Sequence, residues 1–273
     1  MLITAALIRD TFREAMARKI FLALILVETM YVLFFLFILK IDIVEGTVAT
    51  FTVFGKTSHG MDVNRLVSEA LGAVASFLYT FGMALAVFAS AGLIPSVLEP
   101  GRIELLLSKP VSRHHILLGR YLGNLLVVGL IIAYMIVAVW AILGAKTGIW
   151  AASFLTTILT TVSAFGILLA VVVFMGVLWE STAVSTLVAI ALMIISVILA
   201  QWEWAYRVLS SEWARHLWKG LYYVLPKIFD LGSMTRAIVM HKPIESWMPL
   251  WSSGLFAAVV LGASLYMFSK RDF

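Results

Sequence analysis

An all-α integral membrane protein with six transmembrane helices is the fold that three features of this 273-residue sequence predict. Hydrophobic residues make up 62% of the chain, and its mean hydropathy is +1.03. Charged residues make up 13%, against about 25% in a soluble domain. The apolar residues are also gathered into six runs of about 20 residues, each long enough to cross about 30 Å of hydrocarbon. A soluble domain would have to bury all six runs with no polar stripe facing water. The chain therefore reads as one domain over residues 1–273.

Residues 1–19 carry Arg9, Arg13, Arg18 and Lys19 ahead of the first apolar run. At about 100° per residue, Ala5, Ile8, Phe12, Ala15 and Met16 cluster on one side of a helix. Asp10, Arg13, Glu14 and Arg18 take the other side, with Glu14 and Arg18 spaced for an i,i+4 ion pair. This pattern predicts an N-terminal interfacial (elbow) helix. The run Ile20–Leu39 is too long for the apolar core of a signal peptide and is followed by Lys40, so it reads as a span.

The further spans are predicted at Ala70–Ile94, Leu122–Leu143, Phe154–Trp179, Ala183–Ala200 and Met248–Phe268. Only Glu180, Ser181 and Thr182 separate the fourth from the fifth, which predicts a tight antiparallel hairpin; one very long helix is the alternative. The first loop, Lys40–Ser68, is weakly amphipathic. Residues 201–246 mix Trp202, Trp204, Tyr206, Trp213, Trp218, Tyr222 and Tyr223 with charged residues, which predicts short outer interfacial helices, the second near Ile228–Met240.

Lys and Arg counts do not orient the chain by themselves, since ten fall in the segments at each end of the spans. The ten that share a side with the N-terminus are dense and close to span ends, whereas six of the others are spread over one long loop, where the rule weakens. Both termini are therefore expected in the cytoplasm, in a multi-pass protein of the cell membrane. The net charge of +5 and pI near 9.5 then describe loops meeting anionic lipid, and no nucleic-acid partner is expected. The chain has no cysteine, which excludes disulfides, iron–sulfur centres and thiol catalysis.

Several motifs fail on inspection. Gly55-Lys56-Thr57 resembles the end of a phosphate-binding loop, but Thr50 stands where the loop needs glycine. The five histidines have no metal-ligand spacing, and the methionines form no cluster. Gly119 with Gly123, Gly144 with Gly148, Gly72 with Ser76 and Gly82 with Ala86 have the spacing that lets helix backbones approach closely. Two acids are functional candidates. Glu28 lies eight residues into the first span, where an unpaired charge costs about 3 kcal/mol or more, so it must face the bundle interior, pair or be protonated. Glu180 sits at the hairpin, on the expected inner surface.

The polar interval Pro95–Tyr121 holds the most ordered signal. Its residues Glu99-Pro100-Gly101-Arg102-Ile103-Glu104-Leu105-Leu106-Leu107-Ser108-Lys109-Pro110-Val111-Ser112-Arg113 are followed by Ile116-Leu117-Leu118-Gly119-Arg120. This stretch resembles the first cytoplasmic loop of export-type ABC transporter permeases, the type-2 permease family, which includes membrane subunits of copper-processing and antibiotic-export systems. Arg102 stands where that family usually has Thr, and Arg120 where it has Lys. The N-terminal helix, the six spans and Leu225-Pro226 ahead of Phe229-Asp230 are similar to the same family.

The resemblance implies a permease protomer that dimerises, as a homodimer or heterodimer, and binds a separate ATP-binding-cassette subunit through a coupling helix between spans 2 and 3. ATP and Mg would be held by that partner, with no cofactor or hydrolysis in this chain. The ATPase-coupling residues it implies are Glu99, Gly101, Arg102, Glu104, Leu106, Pro110 and Arg113. Physically, the leucines suit an apolar groove and the flanking charges a polar rim. A membrane scaffold that recruits a cytoplasmic enzyme is the alternative. A secondary carrier lacks its usual internal repeat here, and an intramembrane hydrolase lacks a catalytic pair within a span.

Overall fold

The computed structural model describes residues 2–38, 40–44, 48–53, 56–92, 95–98 and 112–271. Glu99, Gly101, Arg102, Glu104, Leu106 and Pro110, and with them the expected coupling helix, lie outside the described residues. Among the described residues six helices are long and apolar enough to cross a membrane: Lys19–Ile38, Val63–Ala91, Arg113–Thr147, Ser153–Trp179, Thr182–Ala200 and Met248–Lys270. These are spans 1 to 6, and each overlaps a run read from the sequence. Span 2 begins earlier than its apolar run, because Asp62 caps it by accepting from the N–H groups of Asn64 and Arg65 at 2.8 and 3.1 Å.

Among the described residues there are also five shorter helices: α1 (Leu2–Ala17), α2 (Pro95–Leu98), α3 (Trp202–Val208), α4 (Glu212–Val224) and α5 (Ile228–Val239). Residues 40–62 add a feature that weak amphipathicity did not reveal, a three-stranded antiparallel sheet of β1 (Lys40–Val44), β2 (Val48–Val53) and β3 (Lys56–Asp62) in the order β1-β2-β3. Its register pairs Val44 with Val48 and Val53 with Lys56. The β-branched Ile, Val and Thr of these segments suit a pleated ladder.

Span 4 forms the centre of the bundle. Phe165, Leu168, Ala170, Val172 and Val173 are fully buried on successive faces, because spans 2, 3, 5 and 6 and α5 all pack on it. A helix apolar all round suits such an enclosed position, as it also suits lipid. Span 4 then ends in a hairpin, as expected. Glu180 takes left-handed backbone (φ 52°), and Ser181 caps span 5 by accepting from the N–H of Val184 at 3.4 Å.

Spans 1 and 2 each contain a five-residue π-type segment, Phe34–Ile38 and Leu78–Gly82. At the end of span 1, Lys146 donates to the carbonyls of Phe35 and Leu36 at 2.8 and 2.7 Å, satisfying acceptors that a helix end leaves open. α4 has the exposed, amphipathic character expected of a surface helix, with no buried residue. By contrast, α5 is inserted among the spans and buries Ile228, Leu231, Met234, Thr235 and Val239.

Candidate functional site

Both termini, the end of span 2, the start of span 3 and the hairpin between spans 4 and 5 converge at one end of the bundle. This terminal end is where the charged residues meet. α1 lies against the start of span 3 because two glycines make room for it. A methyl group on Gly119 would come within 2.7 Å of Leu7 Cβ, and one on Gly123 within 2.7 Å of Thr11 Cβ. The small-residue pair read from the sequence is thus the seat of α1.

Between those glycines stands Arg120, only 2% exposed. Its Nη2 donates to Asp10 Oδ2 at 2.9 Å and its Nη1 to Glu14 Oε2, while its Nε has no partner among the described residues. Glu14 is shared, since its Oε1 accepts from Arg18 Nη2 at 2.9 Å and from Ser96 Oγ at 3.2 Å. Arg18 Nη2 also lies 2.9 Å from Ser96 Oγ. The Glu14–Arg18 pair therefore forms as the spacing predicted. Glu14, however, turns its charge into the protein, although the helical pattern alone placed it on a solvent-facing side, while Asp10 reaches Arg120 from an exposed position. The available signal was a basic residue set between two glycines four apart, since such a seat brings another helix within reach of its charge.

One turn further along span 3, Asn124 is buried, with its Oδ1 3.2 Å from Ser90 Oγ of span 2. A second chain of contacts starts at Arg113, which donates to the carbonyls of Ser269 and Arg271. Arg271 donates to the carbonyl of Val177 at 2.6 Å and pairs with Glu180. Both flanks of residues 99–111 are thereby fastened. Ser96 is tied to α1, and span 3 is tied to α1 through Arg120 and to spans 4 and 6 through Arg113. Glu28 is remote from this cluster. It is 2% exposed, on the face of span 1 that carries Phe21, Leu24, Val32 and Phe35, and its Oε2 has no hydrogen-bond partner among the described residues.

The half of the bundle toward the opposite, sheet end holds a second polar group, around the inner start of α5. The backbone N–H of Lys227 donates to Ser253 Oγ at 2.9 Å and that of Phe229 to Ser196 Oγ at 2.9 Å, satisfying donors exposed at a helix start. Lys227 Nζ donates to Ser252 Oγ at 3.1 Å and sits over the rings of Tyr222 and Tyr223 at 4.8 and 5.7 Å. Tyr222 donates to Asp230 Oδ2 at 2.6 Å, Tyr79 to the carbonyl of Ile228, and Thr235 Oγ1 lies 2.9 Å from Thr160 Oγ1. Beside α5, spans 2 and 5 leave an open groove of about 450 Å³.

Desolvation by burial lowers the Lys227 pKa from its ordinary 10.5, with Asp230 opposing the shift; burial and then the Asp230 hydrogen bond push the Tyr222 pKa well above 10.0. Between the lowered folded pKa of Lys227 and 10.5, the unfolded chain binds more protons, so Lys227 makes stability rise with pH. Tyr222 contributes stability that is complete below pH 10 and is lost as pH climbs above it. Thermal unfolding of the detergent-solubilised protein is expected to show a rising limb below about pH 10 that Lys227→Met removes and a falling limb above it that Tyr222→Phe reduces. A profile unchanged by either substitution would contradict this assignment.

Six apolar spans, one of them enclosed by spans 2, 3, 5 and 6 and α5, define a multi-pass membrane protein. A family model described as "ABC-2 family transporter protein" matches residues 5–273, so the chain belongs to the ABC-2 family of transporter permeases. It is thus a membrane permease subunit of an ABC transporter, a transport component of a family whose members associate with an ABC ATPase. No curated protein matches the chain.

Proposed function

We propose that the chain couples ATP binding and hydrolysis on a separate ATP-binding-cassette subunit to export across the cell membrane. It would work in a dimer of permeases with two ATPase subunits and with both termini cytoplasmic. The observation that carries this reading is Arg120, buried at the start of span 3 and ion-paired to Asp10 and Glu14 of α1. The polar interval is anchored on both sides of residues 99–111, so a force applied between the anchors passes into spans 2 and 3 together with α1. Glu99, Gly101, Arg102, Glu104, Leu106, Pro110 and Arg113 are the proposed contacts with the ATPase, which would hold ATP and Mg. Glu180 lies at the same end and steadies the Arg271 latch beside that surface. Glu28 is a proposed functional acid of span 1, and membrane lipid covers the exposed apolar faces.

ATP-driven alternation would shift the bundle between two conformations by binding one of them better. The test is to substitute Glu104→Ala and Arg113→Ala in the complete complex and to measure ATPase co-purification and vesicle transport. At least one of the two is expected to fall about tenfold or more, the scale of a lost charge-assisted interface contact. Unchanged co-purification and transport would remove the coupling assignment, and transport absent from the intact complex would favour a non-transporting scaffold.

A further inference from the structure

The groove beside α5 has a chemistry that the charged terminal end does not share. Phe81, Ala84, Met193, Ile194 and Phe229 are among the apolar side chains facing its 450 Å³. That volume lies within the range of about 300–1,000 Å³ typical of sites that bury a small molecule. Phe81 and Ile194 remain 63% and 56% exposed, so the chain itself leaves the groove uncovered. Arg236 is the single charged residue in the lining, and its side chain makes no hydrogen bond or ion pair among the described residues.

The neighbouring hydroxyls sharpen what Arg236 would meet. Ser76 donates to the carbonyl of Gly72 at 2.8 Å, Ser233 to that of Asp230 at 2.8 Å, and Tyr79 to that of Ile228. Their protons are used inside the protein, which leaves the guanidinium as the charged uncommitted donor, beside the hydroxyl of Thr80. A carboxylate or phosphate matches it, since both accept the planar fork through two parallel hydrogen bonds.

The charge in the groove lies toward one end. His241, just past the end of α5, bonds Ser153 at 3.1 Å at the sheet end, and Arg236 stands in the last turn of α5, five residues before it. Phe229 lies about 10 Å deeper, at a rise of about 1.5 Å per residue. A ligand would therefore place its anionic head toward the sheet end and its hydrocarbon toward mid-span.

We infer that this groove binds a membrane-resident anionic amphiphile, with its carboxylate or phosphate on Arg236 and its tail along Phe229, Ile194 and Ala84. The inference rests on the permease reading only in making this amphiphile the class of cargo; binding itself needs no ATPase.

The test uses the full-length permease in phosphatidylcholine nanodiscs without its partner. The probes are a photoactivatable long-chain fatty acid and the fatty alcohol of the same chain. The acid is expected to label peptides containing Phe81–Ala84 and Phe229–Arg236 saturably, and at least about tenfold more tightly than the alcohol, the scale of a charge-assisted hydrogen bond. Arg236→Gln is expected to bring the acid to the level of the alcohol while leaving the alcohol unchanged, and Arg236→Lys to keep most of the difference. Should Arg236→Gln abolish labelling by both probes through misfolding, Arg236→Lys decides.

Equal binding of acid and alcohol, or an unaltered acid affinity in either Arg236→Gln or a well-folded charge-neutral equivalent, would overturn the proposal. Because the chain has no cysteine, Ile194→Cys also tests occupancy by a second copy. A disulfide-linked dimer that excludes both probes would overturn the proposal as well. Binding without ATPase coupling would sink the permease mechanism and leave the site standing, and coupling without acid-selective binding would do the reverse.

Discussion

Replacing Glu14 with alanine is expected to cost about 3 kcal/mol of folding stability, because it strips a carboxylate from a buried guanidinium. Arg120 is 2% exposed and Glu14 retains 16% of its side-chain surface, which places the pair near the lower end of the range for broken buried ion pairs. Asp10 would remain, but its side chain is 58% exposed and water screens it. Arg18 and Ser96 would lose the same carboxylate, so the start of the polar interval should loosen with α1. Adding Arg120→Met is expected to recover about half of the loss or more, since an apolar partner leaves no unpaired charge behind. Unfolding in mixed detergent micelles with a double-mutant cycle measures both quantities. A loss below about 0.5 kcal/mol for Glu14→Ala would place the pair among weak surface bridges.

The second large effect concerns the seat of α1. Gly119→Leu and Gly123→Leu should each destabilise by about 1–3 kcal/mol, the usual cost of forcing volume into a filled contact. In both cases the first atom added already meets Leu7 or Thr11 at 2.7 Å. The expected signature is new trypsin cleavage at Arg9 and Arg13 as α1 lifts from span 3, with the rest of the bundle still protected. Gly254→Ala is the control. A methyl there meets nothing within 4 Å, and the change should be neutral or stabilising by up to about 1 kcal/mol. Equal proteolysis of all these variants would mean that the glycines do not seat the helix.

The two predictions depend on parts of the fold that were unequally legible in the sequence. The spans were visible because hydrocarbon imposes a length of about 20 residues, whereas the hairpin was one of two readings until the left-handed Glu180 and the Ser181 cap decided it. Hydropathy could not reveal the sheet of residues 40–62, whose ladder depends on pairing between segments, nor the insertion of α5, which as a twelve-residue amphipathic helix suits a membrane surface and a protein interior equally well. Glu14 and Arg18 could be paired from spacing alone. Arg120 could not be joined to them, since periodicity says which residues share a face and nothing about which helix that face meets. The resemblance drew its force from residues 99–110, and the structure contributes their two flanks, Ser96 and Arg113.

Span 4 also has a bearing on how the protein is made. During synthesis it precedes span 5, α5 and span 6, three of the elements that later enclose it, so the faces that these elements cover first rest against lipid tails. Lipid is as apolar as the protein wall that replaces it, so closing the bundle gains little from hydrophobicity and must draw on tight packing and on interhelical polar contacts. Thr160 with Thr235, and Arg271 with Val177 and Glu180, are contacts of that kind, and each needs a partner synthesised after span 4. Maturation of this subunit is thus an exchange of solvents within the membrane, from lipid to protein, completed when α5 and span 6 arrive.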